Sequence, residues 1–387
     1  MRWNSRRCVL ALPAALSGAI VVGWLGGGDA AEASSFRGAC AASHSRNLIV
    51  VSARTGAVNR SFPDVDQGPL SAVTSDGHGG WFVGGGFGCV GAVSRPSLIH
   101  LRSDGRLDPS WKAPVPADRQ SSTGFPSVTA LARVGSTLYA GGLFGVAAFD
   151  VATGARRWVT RVDPLQPGTN SVLSVAASAR IVYVAGYLGK VGSTPQRASL
   201  VALDAQSGSL LPWKAPALEK GSYVDALALA GSRLYVGGFT STLGGSPRPG
   251  LAALSAGNGA LTGWVPDGVG DIVDTILVSG GYVFTAGYDG FGVSDSRTGR
   301  VPGWVKSLGL HGRHFAASGS IVYLAGDIRN TFTKVAGMPR NNLAAVNVVT
   351  HRVTSWAPKV NRYVGVVALA VSGNEVLVAG DFANKLG

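Results

Sequence analysis

The sequence predicts an all-β fold, a seven-bladed β-propeller of four-stranded antiparallel blades. Three observations carry this. An apolar or aromatic pair followed by a small residue and Gly recurs, as WFVGG ending at Gly85, LYAGG at Gly142, VYVAG at Gly186, LYVGG at Gly238, VFTAG at Gly287, VYLAG at Gly326 and VLVAG at Gly380. A second element alternates with it: an apolar strand, a Thr-Gly or Ser-Gly turn, and a strand ending in an aromatic, at Phe62, Trp111, Trp158, Trp213, Trp264, Trp304 and Trp356. The composition agrees, since 56 Gly in 387 residues and only 14% charged residues suit short strands and tight turns better than helices. Repeats of about 40 to 57 residues with four short strands each read as propeller blades.

Within one unit, VDALALAG is the first strand, SRLYVGG the second, GLAALSAG the third and NGALTGW the fourth. Alternation inside them and turn residues between them fit antiparallel pairing. The recurrent Trp is read as packing between blades. His351 stands where the turn Gly of the other units falls. The chain begins with strands three and four, residues 48–62, and ends with strands one and two, residues 364–382. The two incomplete pieces predict a ring closed by pairing the N-terminal strands with the C-terminal ones.

The N-terminus predicts a signal peptide over residues 1–33: a basic start, MRWNSRR, an apolar segment, and small residues with Ala31-Glu32-Ala33 as a cleavage site. A retained anchor over Val9 to Leu25 is the other reading. Ser5-Arg6-Arg7-Cys8-Val9-Leu10 resembles a twin-arginine signal, so Sec and twin-arginine export both stay open. Residues 34–46 form a lead, and 47–387 the propeller. Cys8 leaves with the leader, and Cys40 and Cys89 remain as an expected disulfide in an exported protein. The formal charge is +13. A basic exported protein suits anionic wall polymers or lipid head groups, or has only a diffusely basic surface. No Lys/Arg block interleaved with aromatics occurs, which argues against nucleic acid.

LYVGGFTSTLGGSPRPGLAALSAGNGALTGWVP and SLIHLRSDGRLDPSW resemble the delta-60 repeat family of bacterial secreted propellers, a likeness running over nearly all of residues 47–387. It implies an exported propeller and no common reaction. AFDVATGARRW, residues 148–158, is also similar to the tryptophan-docking repeat of pyrroloquinoline-quinone enzymes. Those enzymes pair the quinone with a carboxylate-held calcium. The chain has no Cys-Cys pair and no evident carboxylate cluster, so the likeness implies the blade alone, with no cofactor and no metal.

The long connectors, from strand two to three and from four to the next strand one, fall on one face, where binding is expected. Four carry an Arg three residues before a Leu, at Arg95, Arg197, Arg248 and Arg340. They form either a guanidinium ring for anions or, as their repetition in register favours, structural contacts to loop carbonyls. Functional residues are sought where the repeat breaks. Thirteen residues before the Gly that ends strand two stand Thr129, Leu173, Asp225, Asp274, Arg313 and Val367. Asp225, Asp274 and Arg313 thus occupy one register on three consecutive units near the axis, with Asp271, His311 and His314 close in sequence. The expected function is non-catalytic binding of a protein or cell-envelope glycan by a monomer, without stable membrane insertion once the leader is removed. The alternative is a hydrolase or lyase acting on an anionic substrate in the axial funnel, with these groups in acid–base roles.

Overall fold

The computed structural model describes residues 40, 47–59, 63–66, 68–117, 126–165, 171–288, 290–310, 312–326, 332–359 and 365–381. The predicted leader over 1–33, Phe62 and His311 lie outside them, as does the lead over 34–46 apart from Cys40. The described chain is built from antiparallel sheets, and its one described helix is the short Gly303–Leu308.

The WFVGG-type runs form the second strand of each sheet. Leu234, Tyr235 and Val236 are all buried, as are Val283, Phe284 and Ala286. Consecutive burial, rather than alternation, arises because each sheet has a neighbouring sheet against both faces. Thus Thr137–Gly142 pairs with Val128–Val134 on one side and Gly145–Asp150 on the other, and Arg233–Phe239 likewise with Tyr223–Ala230 and Leu251–Ser255. First strands pack on first strands: Leu70–Ser75 on Val128–Val134, then Ser174–Ala177, Tyr223–Ala230, Thr275–Ser279, His314–Ser318 and Gly365–Ser372 in turn, with Gly365–Ser372 also against Leu70–Ser75. The first and last described strands share one sheet, where Leu48–Ser52 pairs with Glu375–Asp381 and Ile49 lies opposite Val378.

The fourth strands are weaker than expected. Arg156–Thr160 is a full strand. Val58–Asn59 and Arg352–Val353 are two residues each. Elsewhere only single bridges remain, Leu101 to Leu107, Leu203 to Leu210 and Leu254 to Leu261. The predicted strand ending at Trp304 is replaced by the helix Gly303–Leu308, closed by Gly309 at φ 51°. Proline explains part of this: Pro109, Pro212 and Pro302 precede the aromatic and lack the N–H that an outer strand donates.

The aromatics that end these segments hold neighbouring sheets together. The indoles of Trp111, Trp158, Trp213, Trp264 and Trp356 donate to the carbonyls of Val151, Ala205, Ala256, Asp295 and Ser52, all at the end of the next sheet's third strand, at 2.8–3.1 Å. A tyrosine hydroxyl from the second strand joins several of them: Tyr139 and Tyr183 donate to the same carbonyls of Ala205 and Ala256. Trp304, on its helix, instead stacks on His351 at 5.0 Å and 6°. His351 has φ 56°, the left-handed conformation that Gly supplies in the other turns.

The core is accordingly divided into sectors, each shared by two successive sheets. Tyr183, Ala202 and Trp213 of one sheet close on Val224, Leu234, Val236 and Leu254 of the next. The paired glycines serve this packing. A Cβ on Gly237 would sit 2.7 Å from Val273 of the next sheet, and one on Gly238 would overlap the Tyr223 carbonyl. A disulfide joins Cys40 to Cys89, tying Cys40 to the small sheet that Cys89–Val90 forms with Val65–Asp66 and Val93–Ser94.

Candidate functional site at the first strands

Four first strands carry an irregularity at the same place. In four sheets one residue is inserted opposite the second strand: Ser71, Thr129, Asp225 and Val367 fall between the paired neighbours Leu70 and Ala72, Val128 and Ala130, Val224 and Ala226, and Val366 and Ala368. Leu173, Asp274 and Arg313 hold the matching place, their N–H groups donating to Ala185, Ala286 and Ala325. β-Bulges turn a side chain out of the ladder's alternation. The register counted from the sequence therefore identifies a structural position, and in the first sheet it is Ser71.

Three of these positions carry charge. Arg313 Nη2 lies 2.5 Å from Asp274 Oδ2, an ion pair between neighbouring sheets. Asp225 is 6% exposed, and neither carboxylate oxygen has a hydrogen-bond partner among the described residues. Burial first, then the charge of Asp274, pushes the Asp225 carboxyl well above the usual carboxylate range. At the matching place Thr129 instead satisfies itself, donating to the Val172 carbonyl at 2.7 Å. Asp271 is exposed on the preceding loop, and His314 is buried opposite Ala325.

Beside Asp225 lies a row of aromatic rings. The Tyr187 and Tyr223 rings meet tilted at 5.3 Å, and those of Tyr223 and Phe239 at 5.9 Å. The Tyr187 phenol is raised by burial and by the adjacent Asp225 and Tyr223. Exposure grows outward: Tyr187 and Tyr223 are half-buried, Phe239 is 45% exposed, and Tyr288 on the next sheet is 71% exposed. Tyr187, Phe239 and Tyr288 each follow the Gly that ends a second strand, so three consecutive sheets present a ring at the mouth of the connector face. The search for breaks in the first strands missed them. The aromatic recurring after that Gly was the available signal.

The connector arginines share one geometry. Arg95, Arg248 and Arg340 each donate from Nη1 to the preceding carbonyl, of Ser94, Pro247 and Pro339, and from Nη2 to a carbonyl two residues before the sheet's Trp, of Pro109, Thr262 and Thr354. Their forks brace the connector against the fourth segment. The side chain of Arg197 lies outside the described ones. Among the described residues no three of His, Cys, Asp and Glu gather as metal ligands, so the donor set does not fit the calcium of the quinone enzymes.

Two features lie apart from the axis. A cleft of about 390 Å³ opens between two sheets, with Glu219 at its rim accepting from the Ser241 N–H at 2.9 Å. His100 bridges Asp76 and Asp108 at 3.0 and 3.1 Å beneath Phe82.

Antiparallel sheets packed in succession through their first strands define a β-propeller. Solved structures agree on the fold. The computationally designed protein Ika8 matches with a TM-score of 0.51 at 15% identity, over 84% of this chain and 96% of that one. The WD40 β-propeller domain of Doa1 gives 0.50 at 11%, over 82% and 94%. A chain of the Mitotic Checkpoint Complex gives 0.53 at 12%, over 97% and 99%. No curated protein matches. The model of the family described as outer membrane protein assembly factor BamB matches residues 14–261, and this chain belongs to that family.

Proposed function

We propose that this chain is an exported, non-catalytic β-propeller that binds a protein or glycan partner at the cell envelope through its connector face. The observation that carries this reading is the exposure of Phe239 and Tyr288 in one register on adjacent sheets, with Phe239 continuing into Tyr223 and Tyr187. Aromatic groups on a rigid scaffold are the commonest anchors of partner binding. The family description, an outer membrane assembly factor, favours a scaffold role at the envelope. No described helix is long and apolar enough to cross a membrane.

The same reading takes the sheets as seven blades of delta-60 type in a closed ring. The pairing of Ile49 with Val378 and the packing of residues 365–372 on 70–75 support closure. The leader over residues 1–33 is taken as removed on export, and the mature protein as a monomer.

Capture from a solubilised envelope fraction tests the binding face. The wild type and a Val349→Ser variant on the opposite turns retain the partner, while a Phe239→Ser/Tyr288→Ser double variant loses at least nine-tenths of it. Equal capture by all three would reject this face.

One observation favours the second reading, a hydrolase or lyase. Burial and a neighbouring carboxylate raise the Asp225 carboxyl in the direction a general acid needs. Hydrolysis of anionic oligosaccharides that is lost in Asp225→Asn would support it.

A further inference from the structure

At this register Asp225 buries both side-chain oxygens with no hydrogen-bond partner among the described residues. Thr129 at the same place bonds across to the next sheet, and Asp274 and Arg313 pair with one another. A carboxyl buried to 6% exposure without a hydrogen bond is costly. Proteins keep such groups chiefly where a ligand completes them.

The surroundings say which ligand. The groups facing Asp225 are the phenol of Tyr187 and the carboxylate of Asp274, with Tyr223 against Tyr187 and Arg313 bound to Asp274. Among the described groups the one guanidinium, of Arg313, is taken by Asp274, which leaves the Asp225 carboxyl without a cation of its own. The Tyr187, Tyr223 and Phe239 rings stand between this deficit and the exposed mouth. Ring faces attract cations, most strongly when desolvated.

We propose that the axial row is a subsite for a cationic side chain, an arginine or lysine of the partner, which enters past the aromatic rings and ion-pairs with Asp225. This rests on the binding reading above and names the chemistry of the protein partner. A cation favours the ionised carboxyl, so its binding draws off the Asp225 proton wherever the raised carboxyl still holds one and strengthens as pH rises. The protein as a whole is strongly basic, with a formal charge of +13. A cationic probe is therefore repelled elsewhere, and its binding reports the site.

The test is calorimetric titration of the purified chain with a ten-residue peptide of alternating Gly and Arg, in buffers of differing ionisation enthalpy at pH 5 and pH 8. The same peptide with citrulline for Arg is the neutral control. The expected result is at least tenfold tighter binding of the Arg peptide at pH 8 than at pH 5, release of protons on binding, and at least tenfold weaker binding of citrulline. Asp225→Asn, with its fold checked by circular dichroism, loses the Arg peptide at least tenfold. Equal affinity for Arg and citrulline, an affinity flat with pH, or a folded Asp225→Asn that binds like the wild type would overturn the subsite. If Asp225→Asn does not fold, the pH and citrulline arms on the wild type decide. Loss of the subsite leaves the connector-face reading standing if Phe239→Ser/Tyr288→Ser still abolishes capture; unchanged capture by that variant rejects the face itself.

Discussion

Asp225 couples the candidate site to stability. Its carboxyl is raised in the folded chain, first by burial and then by Asp274. The folded state therefore holds this proton more tightly than the unfolded one, and stability falls as pH climbs from the ordinary carboxylate value towards the raised one. Thermal melts across pH 4 to 9 should show that decline in the wild type and a flatter profile in Asp225→Asn, which melts higher at pH 8. Parallel profiles would remove Asp225 as the source. The neighbouring pair behaves oppositely. Arg313→Met leaves Asp274 without its guanidinium beside another carboxyl, and urea unfolding should register a loss of roughly 3 kcal/mol. The row was legible in the sequence because a bulge keeps its distance from the Gly that ends the second strand. That distance located Asp225, Asp274 and Arg313 and failed only in the first unit, whose longer hairpin moves the position to Ser71. The pairing of Arg313 with Asp274 rather than Asp225 was not legible, because side-chain direction at a bulge depends on the facing sheet.

Between elements, the indole clamp is the recurring joint. Trp213→Phe keeps the ring in its sector and removes one donor from the Ala256 carbonyl, which Tyr183 still satisfies. The expected cost is about 1 kcal/mol. Trp213→Ala also empties a buried site and should cost about 3–5 kcal/mol. Equal effects in chemical unfolding would mean that the indole bond, not the packing, holds the sheets. The sequence announced these Trp as packing residues, and the structure gives each a named carbonyl. It did not announce the outer segments, which read as strands and form single bridges or a helix. Their turn signals and apolar residues fit a strand, but the ladder there has one neighbour, and Pro109, Pro212 and Pro302 remove donors from it. Trp304 keeps its inward place from a helix by stacking on His351, so a helix and a strand serve the same joint.

For the whole molecule, sheets that share their cores sector by sector fix the geometry of the connector face without needing rigid loops. Phe239 ends, and Tyr288 directly follows, a second strand buried on both sides. The Cys40–Cys89 disulfide adds a tie across 49 residues. Its reduction should cost about 2–4 kcal/mol of stability, seen as a lower melting temperature with dithiothreitol and absent in a Cys40→Ser/Cys89→Ser variant. What the sequence left dark at this scale is the partner, because repetition builds a scaffold whose function sits in the few positions that depart from it. Site-specific photocrosslinking tests the claim that one face does the binding. A benzophenone side chain at position 288 and another at position 349, both 71% exposed and on opposite faces, would be irradiated in the envelope fraction. The account predicts a discrete adduct from position 288 and none from 349; an adduct from 349 alone, or equal adducts from both, would contradict it.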